Sequence, residues 1–242
     1  MERINVLDIN IDNIRTAQSF AQKCLDELPG YIRPGITREE IHSICEELML
    51  RSGSTGWWIR NDPALILFGP HTTFSAHESP DPLFTGLTVQ ENDVITVDVA
   101  PMYKGGWGDM ARTFVMEKGS IIPWNDSENE EIRSGMMLEE KLHAAFRENF
   151  SPQMTFAELH ALTMELLQKN GYRNCDYHGN FGHTIEAHPD HRVTIIPEES
   201  RVIADYGKPI TYEPHICRIG GTIGVKFENM YFWHDGELEL FP

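Results

Sequence analysis

Thr37-Arg-Glu-Glu-Ile-His-Ser-Ile-Cys-Glu-Glu-Leu-Met-Leu-Arg-Ser-Gly53 returns 118 residues later, without a gap, as Thr155-Phe-Ala-Glu-Leu-His-Ala-Leu-Thr-Met-Glu-Leu-Leu-Gln-Lys-Asn-Gly171. Threonine, two glutamates, histidine, leucine and glycine fall at matching places. Both copies open on Thr-x-x-Glu, a pattern in which the threonine hydroxyl and the glutamate carboxylate satisfy each other's backbone N–H groups at a helix start. Both then set apolar residues three and four apart (Ile41, Ile44, Leu48; Leu159, Leu162, Leu166) and stop at glycine. Each is predicted to be a helix. The same offset pairs Ile14-Arg15-Thr16 with Ile132-Arg133-Ser134, at the start of two more helical stretches near 11–28 and 127–149. Two halves that each begin with a helix pair are expected, about 11–115 and 128–234, within one domain spanning 1–242.

Strand-like runs follow each helix pair, and acids sit on them. Ile95-Thr-Val-Asp98-Val-Ala alternates as a strand does, and Trp107-Gly-Asp109-Met-Ala-Arg-Thr-Phe-Val115 reads as the strand returning after a Lys-Gly-Gly turn. The second half repeats the device, with Gly220-Gly221 separating Ile210-Thr-Tyr-Glu213-Pro from Gly224-Val-Lys-Phe-Glu228-Asn-Met-Tyr. If the halves close on one another, four carboxylates converge. Four buried negative charges are prohibitive unless neutralised; two divalent cations cancel them and leave a water positioned and acidified between the metals. His183 follows Gly182, where backbone and imidazole can approach a metal closely, and the surrounding acids favour it as a nitrogen ligand.

Composition narrows the field. A net charge of −17 over 242 residues, with no cluster of lysine or arginine, argues against a nucleic-acid partner, since such binding rests on neutralising phosphates. No run of eighteen apolar residues is present, and Met1-Glu-Arg-Ile-Asn5 has neither the basic nor the apolar region of a leader, so no membrane association and a cytoplasmic location are expected. Four scattered cysteines without a Cys-x-x-Cys pair fit buried thiols in a reducing compartment. Trp57, Trp58, Trp107, Phe232 and Trp233 are read as core.

At these residues the chain resembles the pita-bread metallopeptidases, the family of methionine aminopeptidases, Xaa-Pro aminopeptidases, prolidases and creatinase. The likeness runs from about residue 11 to 235. It is carried by Arg33-Pro-Gly-Ile-Thr37, by Asp98 and Asp109 eleven apart with Arg112-Thr113 after them, by Gly182-His183-Thr-Ile, by Glu213-Pro214 and by Gly224-Val-Lys-Phe-Glu228. The resemblance implies an α+β pita-bread fold, two pseudo-symmetric halves with a curved antiparallel sheet around a central metal site. It implies that Asp98 chelates one metal, that Asp109 and Glu228 bridge both, and that His183 with Glu213 completes the other. A bridging hydroxide would be the nucleophile, with Glu213 shuttling its proton. Phe74-Ser-Ala-His77-Glu-Ser-Pro80 looks like the family segment that carries a histidine upstream of the first aspartate, so His77 is expected in substrate binding or proton transfer. The two divalent ions are expected to be manganese, with cobalt, iron or zinc as alternatives for such mixed ligation. A homodimer is the default expectation.

Four places depart from the family pattern. Glu186 stands where a glycine is usual. The family's second active-site histidine, seven or eight residues beyond the first, has two candidates here, His188 and His191, either of which would steady the reaction intermediate. His178 resembles the extra histidine of Xaa-Pro enzymes but lies one residue farther from His183, and is carried as a substrate contact. Lys226 occupies a position where prolidase-like members have arginine and is expected to pair with an anionic group of the substrate. The expected activity is that of a metallo-aminopeptidase or dipeptidase on short peptides, Xaa-Pro substrates being favoured over N-terminal methionine. The alternatives are a pita-bread enzyme acting on a small non-peptide substrate, as a creatinase-like hydrolase or a lyase, and a peptide-binding module without catalysis.

Overall fold

The computed structural model describes residues 10–58, 62–74, 86–176, 178–203 and 207–241. Both expected helix pairs form: α1 (Ile11–Glu27) with α2 (Arg38–Ser52), and α3 (Glu130–Asn149) with α4 (Phe156–Lys169). The two capping boxes close, Glu40 N–H donating to Thr37 Oγ1 and Glu158 N–H to Thr155 Oγ1, each at 3.1 Å, while each glutamate carboxylate accepts from the threonine backbone at 2.8 Å. Such a cap contributes about 1 kcal/mol. Gly53 ends α2 in the left-handed region at φ 108°.

Between the helix pairs run β1 (Gly56–Trp57), β2 (Ala64–Phe68), β3 (Asp93–Val99), β4 (Pro101–Tyr103), β5 (Gly106–Trp107), β6 (Met110–Glu117) and β7 (Ser120–Ile122). After α4 come β8 (Tyr172–Asn174), β9 (Ile210–Tyr212), β10 (His215–Arg218), β11 (Gly224–Lys226), β12 (Asn229–His234) and β13 (Glu237–Leu240). All named pairings are antiparallel, in sheets ordered β2-β3-β6-β7, β1-β4-β5, β11-β10-β8 and β13-β12-β9.

Both halves break their hairpins where a single pair of strands was expected. In the first, Lys104 and Gly105 (φ 47° and 81°) close a tight β4–β5 hairpin, and the strand that returns alongside β3 begins only at Met110. In the second, Pro214 has no N–H to donate, so the strand stops after Tyr212. The chain then changes sheet: β9 pairs with β12, and the Gly220-Gly221 turn instead joins β10 to β11. Asp109, Glu213 and Glu228 therefore all stand at strand breaks, where backbone groups freed from the ladder leave room for a side chain to turn inward.

One apolar cluster packs α1 and α2 against β2, β3 and β6 through Ala21, Leu25, Ile41, Leu48, Ile66 and Val97, and another packs α3 and α4 against the second set of strands through Leu142, Phe146, Leu159, Tyr212, Ile216 and Val225. The two meet along β6, which lies beside residues 226–229: Lys226 N–H donates to Thr113 Oγ1 at 2.9 Å, Glu228 N–H to the Ala111 carbonyl at 3.1 Å, and Arg112 Nη1 to the Glu228 carbonyl at 2.6 Å. This seam carries the acids of one half up to those of the other. All four cysteines are buried free thiols, and among the described residues no helix is long and apolar enough to cross a membrane.

Within α3, Glu139 is 1% exposed, and neither carboxylate oxygen finds a hydrogen bond among the described residues. Burial pushes its pKa well above the ordinary 4.5, against a smaller pull from Lys226. A raised folded-state pKa means that the folded protein holds the proton more tightly, so stability declines as pH rises above the unfolded value. Glu139→Met is expected to stabilise the protein by about 1–3 kcal/mol at pH 8 and by less at pH 5, read as the difference in Tm between variant and wild type at the two pH values. An equal or negative shift at pH 8 would place a partner on that carboxyl.

Candidate metal centre

Each acid is aimed by its own backbone setting. Asp98 lies near the end of β3, opposite Leu65 on β2 and Ala111 on β6, held from both sides in the centre of the sheet. Asp109 is clamped by α1: its N–H donates to Gln18 Oε1 at 2.8 Å, and its carbonyl accepts from Gln18 Nε2 at 3.1 Å. The helix comes this close because Gly108 has no side chain; a Cβ there would lie 2.7 Å from Gln18 Cα. Glu213 is tied by its N–H to the Phe181 carbonyl at 2.9 Å, and its Oε1 accepts from Asn180 Nδ2 at 3.3 Å. Glu228 hangs from the seam with β6. His183 is bracketed by bonds from its N–H to Thr211 Oγ1 (3.1 Å) and from Thr211 N–H to its carbonyl (2.8 Å).

These settings bring five donor side chains into two adjoining sets. Oxygens of Asp98, Asp109 and Glu228 all lie within 4.8 Å of one another. His183 Nε2 lies 3.5 Å from Asp109 Oδ2 and 3.6 Å from Glu213 Oε1. Lys226 Nζ reaches across both sets, 2.6 Å from Asp98 Oδ2, 2.8 Å from Glu213 Oε2 and 3.8 Å from Glu228 Oε2.

The electrostatics follow from burial and crowding. Burial, then the charges of Asp98 and Glu213, push the Asp109 carboxyl well up; burial, then Asp109 and Glu213, do the same for Glu228. Burial would also raise Glu213, but the Lys226 ammonium and His183 outweigh it and hold Glu213 at about 2. Burial lowers His183 to about 4, so its imidazole is neutral at physiological pH.

The residues fit divalent cations. Glu228 is fully buried, and neither of its carboxylate oxygens receives a hydrogen bond from the described residues. The Nδ1 of His183 faces the Thr184 carbonyl at 3.2 Å and must carry the proton, which leaves the Nε2 lone pair pointing at two carboxylate oxygens. Lone pairs directed at one another are repulsive until a cation stands between them. The cavity bordered by Asp98, Asp109, His183 and Glu213 is about 50 Å³, room for a few waters or ions.

The remaining expected residues divide. Lys226 is in the site, but its ammonium is engaged by protein carboxylates instead of standing free for a substrate. His178 is exposed and does not line the cavity. His188 and His191 are exposed on and beside the short turn Pro189–His191, with their rings 5.5 Å apart, and neither lines the cavity. The expected place of a second histidine goes to the next residue, Arg192, which lines the cavity with its guanidinium 5.1 Å over the Trp58 ring. Among the described residues it makes no hydrogen bond or ion pair. Glu186, at the glycine position, is buried, accepts from Thr184 Oγ1 at 2.9 Å and pairs with Lys208, so its charge is neutralised away from the cavity. His77 lies outside the described residues.

Sequence reading also passed over Gln18, Asn180 and His215. His215 lines the cavity, bonds the Thr72 carbonyl through Nε2 at 2.5 Å and is pulled down to about 4 chiefly by burial. Period-two alternation from Glu213 was the signal for it, as was a lone glutamine on the apolar face of α1 for Gln18. Trp107 is core, as expected, whereas Trp58 forms a wall of the cavity.

Comparison with known proteins places this geometry in a family. The model of metallopeptidase family M24 matches residues 12–235. An uncharacterized peptidase of Staphylococcus aureus is 23% identical over 219 residues, which are 90% of this chain and 57% of that protein, so the chain spans little more than half the length of this relative. A Xaa-Pro dipeptidase from Bacillus anthracis superposes with a TM-score of 0.78 at 19% identity, covering 98% of this chain and 61% of that one. A methionine aminopeptidase from Thermotoga maritima gives 0.74 at 16% identity, covering 100% and 99%. At such identities the structural likenesses speak for the fold alone. The family match extends over nearly the whole chain, and with it the chain belongs to metallopeptidase family M24 and has the pita-bread fold.

Proposed function

We propose that this chain is the catalytic unit of a dinuclear metallopeptidase that hydrolyses short peptides, Xaa-Pro substrates being favoured over N-terminal methionine. It is read as one domain of two pseudo-symmetric halves whose seam forms the active site. The observation that carries the reading is the meeting of Asp98, Asp109, His183 and Glu213 around a small cavity with the buried Glu228 against Asp98 and Asp109, the Glu228 oxygens lacking donors among the described residues and the His183 lone pair turned toward acids. Two divalent cations there, manganese foremost, would supply Lewis-acid activation of a water and of the scissile carbonyl. Glu213 stays ionised, so its carboxylate is open to take the proton of the attacking water and deliver it to the leaving amine. His183 supplies a neutral nitrogen donor, and Trp58 and Trp107, each with its ring centroid within 6 Å of the His183 ring centroid, limit water around it.

Arg192 supports a short substrate with a free carboxylate. Its guanidinium is held over Trp58 at the cavity with donors that no described residue uses, and a planar fork suits a carboxylate better than an ammonium does. Arg192→Met is expected to raise KM for a Xaa-Pro dipeptide about tenfold or more while changing kcat little, and to leave the corresponding dipeptide amide unaffected. Equal losses on acid and amide would assign Arg192 to the structure of the pocket. The reading as a whole is tested by elemental analysis of protein purified without chelator, together with turnover of Xaa-Pro and methionyl peptides at matched manganese. About two metals per chain with Xaa-Pro cleavage is expected. The 50 Å³ cavity favours, as a second reading, hydrolysis or elimination on a small non-peptide substrate. Two metals without cleavage of either peptide class would select it.

A further inference from the structure

Among the described residues, Lys226 is the cation whose charged group stands within ion-pair distance of three acids of the site. Its position is set by the backbone: it lies two residues before Glu228, its N–H and carbonyl both bond Thr113 Oγ1 (2.9 and 2.8 Å), and it stands opposite His215 in the β10–β11 ladder. Alternation along the strand and this double bond to β6 direct the side chain into the cavity, where it is 14% exposed. Its contacts are unequal. In the set Asp98, Asp109 and Glu228, the ammonium takes Asp98 Oδ2 at 2.6 Å and lies 3.8 Å from Glu228 Oε2. In the set Asp109, His183 and Glu213, it touches only Glu213 Oε2, at 2.8 Å, leaving Glu213 Oε1 directed at His183.

We propose that Lys226 is an internal competitor for the second metal, which makes the two metal positions of this site unequal. This rests on the metal-centre reading above. The first divalent cation enters among Asp109, His183 and Glu213 Oε1, atoms that the ammonium does not contact. The second must remove the ammonium from Asp98 and then share a water-poor cavity with it, and like charges a few ångströms apart in such surroundings repel far more than they do in water. At limiting metal the protein is then mononuclear, and occupancy of the Asp98 side reports the metal supply.

The test is a calorimetric titration of the metal-stripped full chain with Mn²⁺, in parallel with electron paramagnetic resonance, which distinguishes an isolated Mn²⁺ from a spin-coupled pair. Wild type should show two steps separated by at least about tenfold in Kd, with the coupled signal rising only after one equivalent. Lys226→Met keeps the length and removes the charge; it should tighten the second step at least about tenfold, leave the first nearly unchanged, and bring the coupled signal in before one equivalent is complete. Lys226→Arg should keep the steps apart. Lys226→Gln serves in place of the methionine variant if that protein does not fold. Two equal steps in wild type, or a second step unchanged or weakened when the charge is removed, overturns the proposal while leaving the metal centre intact. Wild type that binds no Mn²⁺ at either step overturns the metal-centre reading itself.

Discussion

Glu228→Gln is expected to remove metal from the protein and to lower kcat/KM at least about a thousandfold, roughly 4 kcal/mol of transition-state stabilisation. The change is isosteric, so the loss is one of charge. Glu228 is fully buried at the seam, is approached by acids from both halves, and has no hydrogen-bond donor on either carboxylate oxygen among the described residues. An amide in its place cannot neutralise a divalent cation, and the adjoining set keeps only Asp109 as its link to the Asp98 side. The thermal behaviour should separate a ligand from a structural residue. In wild type, metal should raise Tm, because it binds only the folded chain. Metal-stripped wild type carries the penalty of a crowded carboxyl whose pKa burial and neighbouring acids raise, and that penalty grows with pH above the ordinary 4.5. The metal-stripped variant should therefore melt higher than metal-stripped wild type at pH 8, yet gain nothing from added Mn²⁺. Asp109→Ala should lose metal and turnover in the same way. Full activity in either variant, or a metal-stripped variant that melts lower, would remove these residues from the metal centre.

Gly182→Ala should be strongly destabilising. Gly182 has φ 143°, which a side chain strains, and its Cβ would lie 2.1 Å from the Thr211 carbonyl oxygen and 2.9 Å from Ile195 Cδ1. The obstacle is backbone on β9, which cannot rotate aside. Relief requires moving the 182–184 segment away from Thr211, against the hydrogen bonds that link His183 with Thr211 and Gly182 with Ile195. A cost of about 3–5 kcal/mol is expected, roughly 10 °C in Tm for a chain of this size, together with weaker metal binding because His183 and Glu213 shift with their segments. Gly220→Ala is the control. It also has a positive φ, 78°, but nothing lies within 4 Å of its Cβ, so only the conformational cost of about 1–2 kcal/mol applies. Similar melting temperatures for the two variants would mean that conformation, and not the close approach of β9, is what requires glycine at 182.

Much of this was legible along the chain because the signals are local. Thr37 with Glu40 and Thr155 with Glu158 state two helix starts in four residues each, and both capping boxes close as read. The alternation of Ile95-Thr-Val-Asp98 states a strand, and β3 contains it. The four acids could be nominated because burying such residues makes sense only with a counter-charge. The expected single hairpins fared less well. Pro214 and the Lys104-Gly105 turn were both visible, but which strand a broken strand pairs with next depends on residues far along the chain, as when β9 takes β12 for its neighbour. The candidate histidines His188 and His191 were chosen by spacing from His183. Spacing cannot say that the short turn Pro189–His191 points both rings outward and brings the following residue, Arg192, to the cavity.

The sequence by itself determined the helices, the strands that carry the acids, and the chemistry that those acids require, because capping, alternation and charge are properties of neighbouring residues. Only the tertiary structure decided which groups share the cavity. Gln18 reaches Asp109 across 91 residues of chain, and Lys226 reaches Asp98 across 128. The first meeting depends on the close approach of α1 that Gly108 permits, the second on the seam between β6 and residues 226–229. A carboxylate's partner and protonation are set by what packing places within a few ångströms of it, and no local pattern encodes that distance.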